Sequence, residues 1–113
     1  VHKGSYAGLF KHVLDLLDPD MLAGKPVLLA ATGGGDRHAL VIEHQLRPLM
    51  AFFEAQTLAT GVYVADREFT GGKLADDAAH ARLGRAVEQF APFLSPYTVP
   101  QPAAEPAPLL QAF

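Results

Sequence analysis

The stretch LLAATGGGDRHAL, Leu28 to Leu40, runs from apolar residues into three consecutive glycines and then into an acid, a base and a histidine. Backbone N–H groups in such a stretch can approach a flat ring or an anion closely, because no side chain stands between them. A single turn needs fewer glycines, so Gly33, Gly34 and Gly35 read as a contact surface as well as a joint. A second glycine-rich stretch, VHKGSYAG, opens the chain. Within it Ser5 can hydrogen-bond a ligand or cap a helix, and Tyr6 can stack on a ring or sit half-buried. His2 can pack over a ligand or simply occupy the loop. Neither stretch is a Walker A loop or a GxGxxG opening.

Side-chain chemistry is sparse. The chain has no cysteine, which excludes a disulfide framework, thiolate catalysis and Cys-ligated zinc. No GxSxG elbow is present. His38 and His44 flank Glu43 without HExxH spacing, so no metal centre is expected. Glu43 and Arg47 are four apart, the spacing of a helix-face ion pair. Arg37, after the glycines, is placed to meet a phosphate or a partner carboxylate. An enzyme built from these parts needs a cofactor to carry the chemistry.

The bulk properties limit the setting. The 113 residues are 50% hydrophobic and carry a formal charge of -3. That suits one small domain with a core and argues against a nucleic-acid surface. No apolar run approaches the ~18 residues of a membrane span, and no signal peptide is visible, so a cytoplasmic location is expected. The opening lacks a Met and falls at a strand end, which leads us to expect the second half of a larger domain.

Several elements must position these loops. GLFKHVLDLLD predicts an amphipathic helix with Leu9, Phe10, Val13, Leu14, Leu16 and Leu17 on its apolar side, ended by Pro19. Lys25 to Thr32 is apolar without alternation, as in a strand covered on both faces. A long helix is expected from Asp36 to Gln56, capped by Asp36 or Thr32, with a kink or π-bulge near His44 to Arg47 because Pro48 removes a donor. Leu58 to Ala65 predicts a second covered strand, with Gly61 out of place in it. TGGKLADD reads as a surface loop. A last helix follows, capped by Asp76 or Asp77, with Ala79, Leu83, Ala86, Val87, Phe90 and Leu94 on one side. The domain is expected to end at residue 94; residues 95–113, rich in proline and alanine, read as an extended tail. Helices alternating with doubly covered strands mean an α/β fold with a doubly wound parallel sheet.

GSYAGLFKHVLDLLDPDMLAGKPVLLAATGGGDRHALVIEHQLRPLMAFFEAQTLATGVY resembles the NAD(P)H-dependent FMN reductases, closest to the NADH-dependent enzymes of two-component alkanesulfonate and methanesulfonate monooxygenase systems. The resemblance runs from about Val1 to Phe93. It implies a flavodoxin-like fold with strand order 2-1-3-4-5, of which this chain supplies the C-terminal half: the end of the third strand, then the fourth and fifth. It implies that His2, Lys3, Gly4, Ser5 and Tyr6 form one loop bordering the FMN ring, and that Thr32, Gly33, Gly34 and Gly35 form the other. The Ser-rich loop that holds the FMN phosphate in this family lies upstream of these motifs. His44 stands where the alkanesulfonate branch carries a tyrosine at a π-bulge, which brings the sequence nearer the methanesulfonate branch.

The implied activity is hydride transfer from NADH, or NADPH, to FMN. Reduced flavin then goes to a reduced-flavin-dependent monooxygenase. The resemblance also implies a homodimer or homotetramer. Two other readings remain open: a flavin-retaining quinone or azo reductase on the same fold, and a non-catalytic assembly module.

Overall fold

A computed structural model describes residues 1–94; the expected proline-rich tail lies outside the described residues. Two parallel strand pairs form the centre. Strands β1 (Pro26–Val27) and β2 (Ala30–Gly33) run alongside β3 (Gln56–Thr57) and β4 (Val62–Ala65). Between the paired stretches one side carries Leu28 and Leu29, while the other carries Leu58, Ala59, Thr60 and Gly61. The second strand is therefore bulged by two residues. The continuous strand expected over Leu58 to Ala65 is broken there, and Gly61 sits in the bulge.

Helices cover both faces. Successive strand residues point to opposite sides, and Val62 and Val64 pack against Ala79 and Ala86 of α3 (Asp77–Leu94). Tyr63 and Ala31 turn the other way, onto a core of Leu14, Leu29, Val41, Ile42, Leu46, Met50 and Phe53. That core is built from α1 (Gly8–Asp15), a π-helical turn (Ile42–Leu46) and α2 (Arg47–Phe52). The sandwich agrees with the doubly wound reading, and β4 is buried as expected. Strand β2 departs from it: α3 lies over β4 and leaves Ala30 and Thr32 exposed.

Further differences have local causes. The first helix is short and buries only Leu14; Leu9 and Leu16 are about three-quarters exposed. Its N-cap is Ala7, with no side-chain cap, so Ser5 does not cap it. The long helix expected from Asp36 is replaced by a 3-10 turn (Asp36–His38) and then the π-helical turn, and neither Asp36 nor Thr32 caps it. The defect expected near Pro48 is present: Arg47 N–H donates to the Ile42 carbonyl, five residues back. In α3 the apolar side is narrower than expected, since Ala79 and Ala86 are buried but Leu83, Val87 and Leu94 are exposed. Asp76 supplies its cap, accepting from Ala79 N–H at 2.8 Å. The expected loop at TGGKLADD contains a hairpin, β5 (Phe69–Thr70) with β6 (Lys73–Leu74). Gly71 and Gly72, at φ 56° and 77°, make the left-handed turn that such a two-residue connection requires.

Candidate functional site

The two glycine-rich loops leave the sheet at the same rim. The Val1 α-ammonium donates to the Thr32 carbonyl and the Val1 side chain lies against Gly33, so Val1 sits beside the carboxyl end of β2. From Val1 the first loop departs; from Gly33 the second. In open parallel sheets ligands bind beyond this edge.

The first loop is a tight hairpin. His2 and Ser5 exchange backbone bonds, His2 N–H to Ser5 O at 2.7 Å and Ser5 N–H to His2 O at 3.2 Å. Lys3 and Gly4 make the turn at φ 52° and 85°. Positive φ at both central positions is the signature of a type I′ turn, which explains Gly4 without a ligand. His2, Lys3 and Gly4 are exposed, whereas Ser5 and Tyr6 are half-buried. Ser5 Oγ donates to Gln45 Oε1 at 2.9 Å, tying the loop to the π-helical turn. Tyr6 packs at 5.8 Å from the Phe10 ring and joins the core below.

The three glycines of the second loop differ. Gly33 is buried, and a Cβ there would collide with the Tyr63 hydroxyl while meeting Val1 Cβ at 3.3 Å. Its role is close packing. At Gly34 a Cβ would make only ordinary contact with Asp66, at 3.7 Å. At Gly35 it would meet nothing within 4 Å, and the backbone is extended at φ -175°, which any residue adopts. Nothing in the described chain asks for glycine at 35. Thr32 is exposed beside them. The loop is held from behind: Tyr63 Oη donates to the Gly35 carbonyl at 2.6 Å, and Arg67 forms an ion pair with Asp36.

Two clefts flank this rim. One, of about 170 Å³, is lined by Val1, Tyr6, Thr32 and Val41. The other, of about 360 Å³, is lined by Asp36, Tyr63, Glu68 and Arg82. His38, half-buried, and His44, exposed, sit on different turns. The expected Glu43–Arg47 pair is formed through two bonds, at 2.7 and 2.9 Å. Arg47's hydrogen bonds hold the Glu43 carboxyl below the usual range, against a smaller opposing effect of burial.

Arg47 also performs a task that spacing alone did not reveal. Its Nη1 donates to Thr57 Oγ1 and to the Leu58 carbonyl, each at 2.9 Å. From the opposite face, Arg82 donates to the Gly61 carbonyl at 2.7 Å. Gln89 accepts from the Thr60 N–H at 2.9 Å and donates through Nε2 to the Thr60 hydroxyl at 2.8 Å. The bulge thus finds its hydrogen-bond partners in side chains of both helical layers. Gly61 was the available signal, but the residues serving it lie far away in sequence.

Comparison with known proteins gives this rim a context. The sequence profile described as NADPH-dependent FMN reductase matches residues 1–70. The chain belongs to the NADPH-dependent FMN reductase family. Among its relatives in this family, the NADH-dependent FMN reductase SfnF of Pseudomonas fluorescens is 48% identical over 100 residues, covering 88% of this chain and 54% of that protein. An FMN reductase (NADPH) of Pseudomonas aeruginosa is 51% identical over 92 residues, covering 81% of this chain and 50% of its own. An oxidoreductase structure from Corynebacterium diphtheriae superposes with a TM-score of 0.76 at 40% identity, over 85% of this chain and 52% of that one. The apo form of an NADH:FMN oxidoreductase gives 0.73 at 29% identity, over 94% and 51%. The chain spans about half the length of the curated FMN reductases it matches. The doubly wound arrangement is accordingly part of a flavodoxin-like fold, as the sequence led us to expect.

Proposed function

We propose that the protein is an NAD(P)H-dependent FMN reductase. The observation that carries this reading is the convergence of the His2–Tyr6 and Thr32–Gly35 loops at the carboxyl end of β2, where Val1 packs against Gly33. A flat ring fits the residues present. Gly4 and Gly35 face open space where side chains would otherwise project. The N–H groups of Gly4, Gly34 and Asp36 find no acceptor among the described residues, so they are available to a ligand.

In this reading His2, Lys3, Gly4, Ser5 and Tyr6 border one side of FMN, and Thr32, Gly33, Gly34 and Gly35 the other. The chemistry supplied by bound FMN is acceptance of a hydride from reduced nicotinamide. The chain's own share is to hold two planes in register, to offer backbone donors to the ring, and to exclude side chains from the slot. None of the bordering side chains is required as an acid or base.

The resemblance of the motifs to the methanesulfonate branch supports delivery of reduced FMN to a reduced-flavin-dependent monooxygenase. Exposed Leu40 and Phe52, flanking and within the π-helix and α2 segment, support a homodimer or homotetramer with that segment in the contact.

The test is NADH and NADPH oxidation by the full-length protein with added FMN. Turnover that requires free FMN supports the reading. No oxidation of either nucleotide would refute it. Flavin retained through gel filtration, with rapid quinone turnover, would favour a quinone reductase of the same fold instead.

A further inference from the structure

We propose that Tyr63 is a positioning residue for the glycine loop: its hydroxyl, admitted by the missing side chain at Gly33, draws the Gly35 carbonyl inward and thereby sets the path of Gly34 to Asp36. This rests on the flavin reading for its functional consequence and on geometry for everything else.

The argument begins on β4. Tyr63 alternates with Val62 and Val64, so its ring lies on the face opposite α3 and packs against the larger core. A tyrosine hydroxyl that is part-buried needs a partner. It reaches one by passing directly under Gly33, where any Cβ would collide with it, to donate to the Gly35 carbonyl at 2.6 Å. Gly33 is therefore glycine because of Tyr63. That separates it from Gly34, where a Cβ would make only ordinary contact with Asp66, and from Gly35, whose missing side chain leaves space open.

The hydrogen bond fixes more than one atom. In a trans peptide the N–H points opposite to the C=O. Holding the Gly35 oxygen toward β4 turns the Asp36 N–H away from β4, and that N–H has no acceptor among the described residues. Two further contacts keep the loop in place: His38 N–H approaches the same Gly35 carbonyl at 3.4 Å, and Arg67 pairs with Asp36. Only the tyrosine bond can be deleted without removing a charge or a turn. A phenylalanine keeps the ring, its packing and its volume.

The experiment uses the full-length protein with Tyr63→Phe, Gly33→Ala and the double variant. Amide hydrogen exchange at His38 and Ala39, whose N–H groups bond to the Gly35 and Asp36 carbonyls, should accelerate in Tyr63→Phe while exchange in α3 stays unchanged. FMN titration by fluorescence quenching should give a dissociation constant about five-fold weaker, the size of one neutral hydrogen bond. The KM for FMN should rise with it, and kcat at saturating FMN should not change. Gly33→Ala should lower thermal stability and FMN affinity further, and adding Tyr63→Phe should restore part of both, because the colliding hydroxyl is gone. Unchanged exchange and unchanged FMN affinity in Tyr63→Phe would overturn the proposal. So would strict additivity of the two substitutions. If the wild-type protein binds no FMN, the flavin reading fails, and loop exchange with the double-variant stability still decides whether Tyr63 holds the loop.

Discussion

Substituting Gly61 by alanine tests whether the bulge and the π-helical turn are fitted to each other. A Cβ at position 61 would stand 2.6 Å from Ile42 Cγ2 and 3.1 Å from Ile42 Cδ1. Normal carbon–carbon contact is about 3.5–4.0 Å, so roughly 1 Å of movement is needed. Ile42 is only 3% exposed and heads the π-helical turn, which leaves it little room to retreat. The strand side is equally constrained, because Arg47, Arg82 and Gln89 hold the bulge from both faces. Overpacking of this kind costs about 1–3 kcal/mol. Ile42→Ala alone should cost about 2–5 kcal/mol through the cavity it opens. The double variant removes the collision and lets the new methyl fill part of that cavity, so its loss should fall short of the sum by about 1–2 kcal/mol. Urea unfolding of the four proteins reads all these values, provided the denaturant slopes agree. Additive losses, or a Gly61→Ala variant as stable as the parent, would refute the claim that close approach to Ile42 dictates glycine there.

Two other outcomes follow from the hydrogen-bonded side chains. Arg47 lowers the Glu43 pKa in the folded state, so this pair stabilises the fold above the ordinary glutamate range and loses its effect as pH falls through the depressed folded value; melting temperatures of wild type and Glu43→Gln, distinct at pH 7, should converge toward pH 3, and a constant gap would contradict the linkage. Asp76→Ala should destabilise the protein by about 1 kcal/mol through loss of the α3 cap, measured by thermal unfolding, with Asp76→Ser recovering most of it.

What could be read in advance was what local chemistry dictates. Pro48 lacks a donor, and the turn before it is widened, in line with the kink or bulge expected there. Glu43 and Arg47 were paired by spacing alone. β-favouring residues announced a covered second strand and β4 obeys, whereas the unbroken apolar run of Lys25 to Thr32 gave β2, in which Ala30 and Thr32 are exposed. What escaped depends on partners distant in the chain. The extra pair of residues in the second strand is visible only once its register against Pro26–Gly33 is known. Ser5 looked like a cap because caps are local, while its actual partner, Gln45, lies 40 residues on. The Gly71–Gly72 hairpin was legible in principle, since two adjacent glycines between extended residues are a recognised turn signal. At the candidate site the glycines marked the place, but their sequence could not say that Gly33 serves Tyr63 and Gly35 serves nothing within the chain.

The four residues Leu58 to Gly61 look like slack that natural variation would trim without penalty. Removing two of them would restore an even ladder with Leu28 and Leu29, and so would improve the strand considered by itself. It would also take bonding partners from two guanidinium groups and an amide reaching in from separate helices. Length in this stretch is thus under the joint control of both helical layers, and insertions or deletions there should be as rare among viable variants as in the middle of a helix.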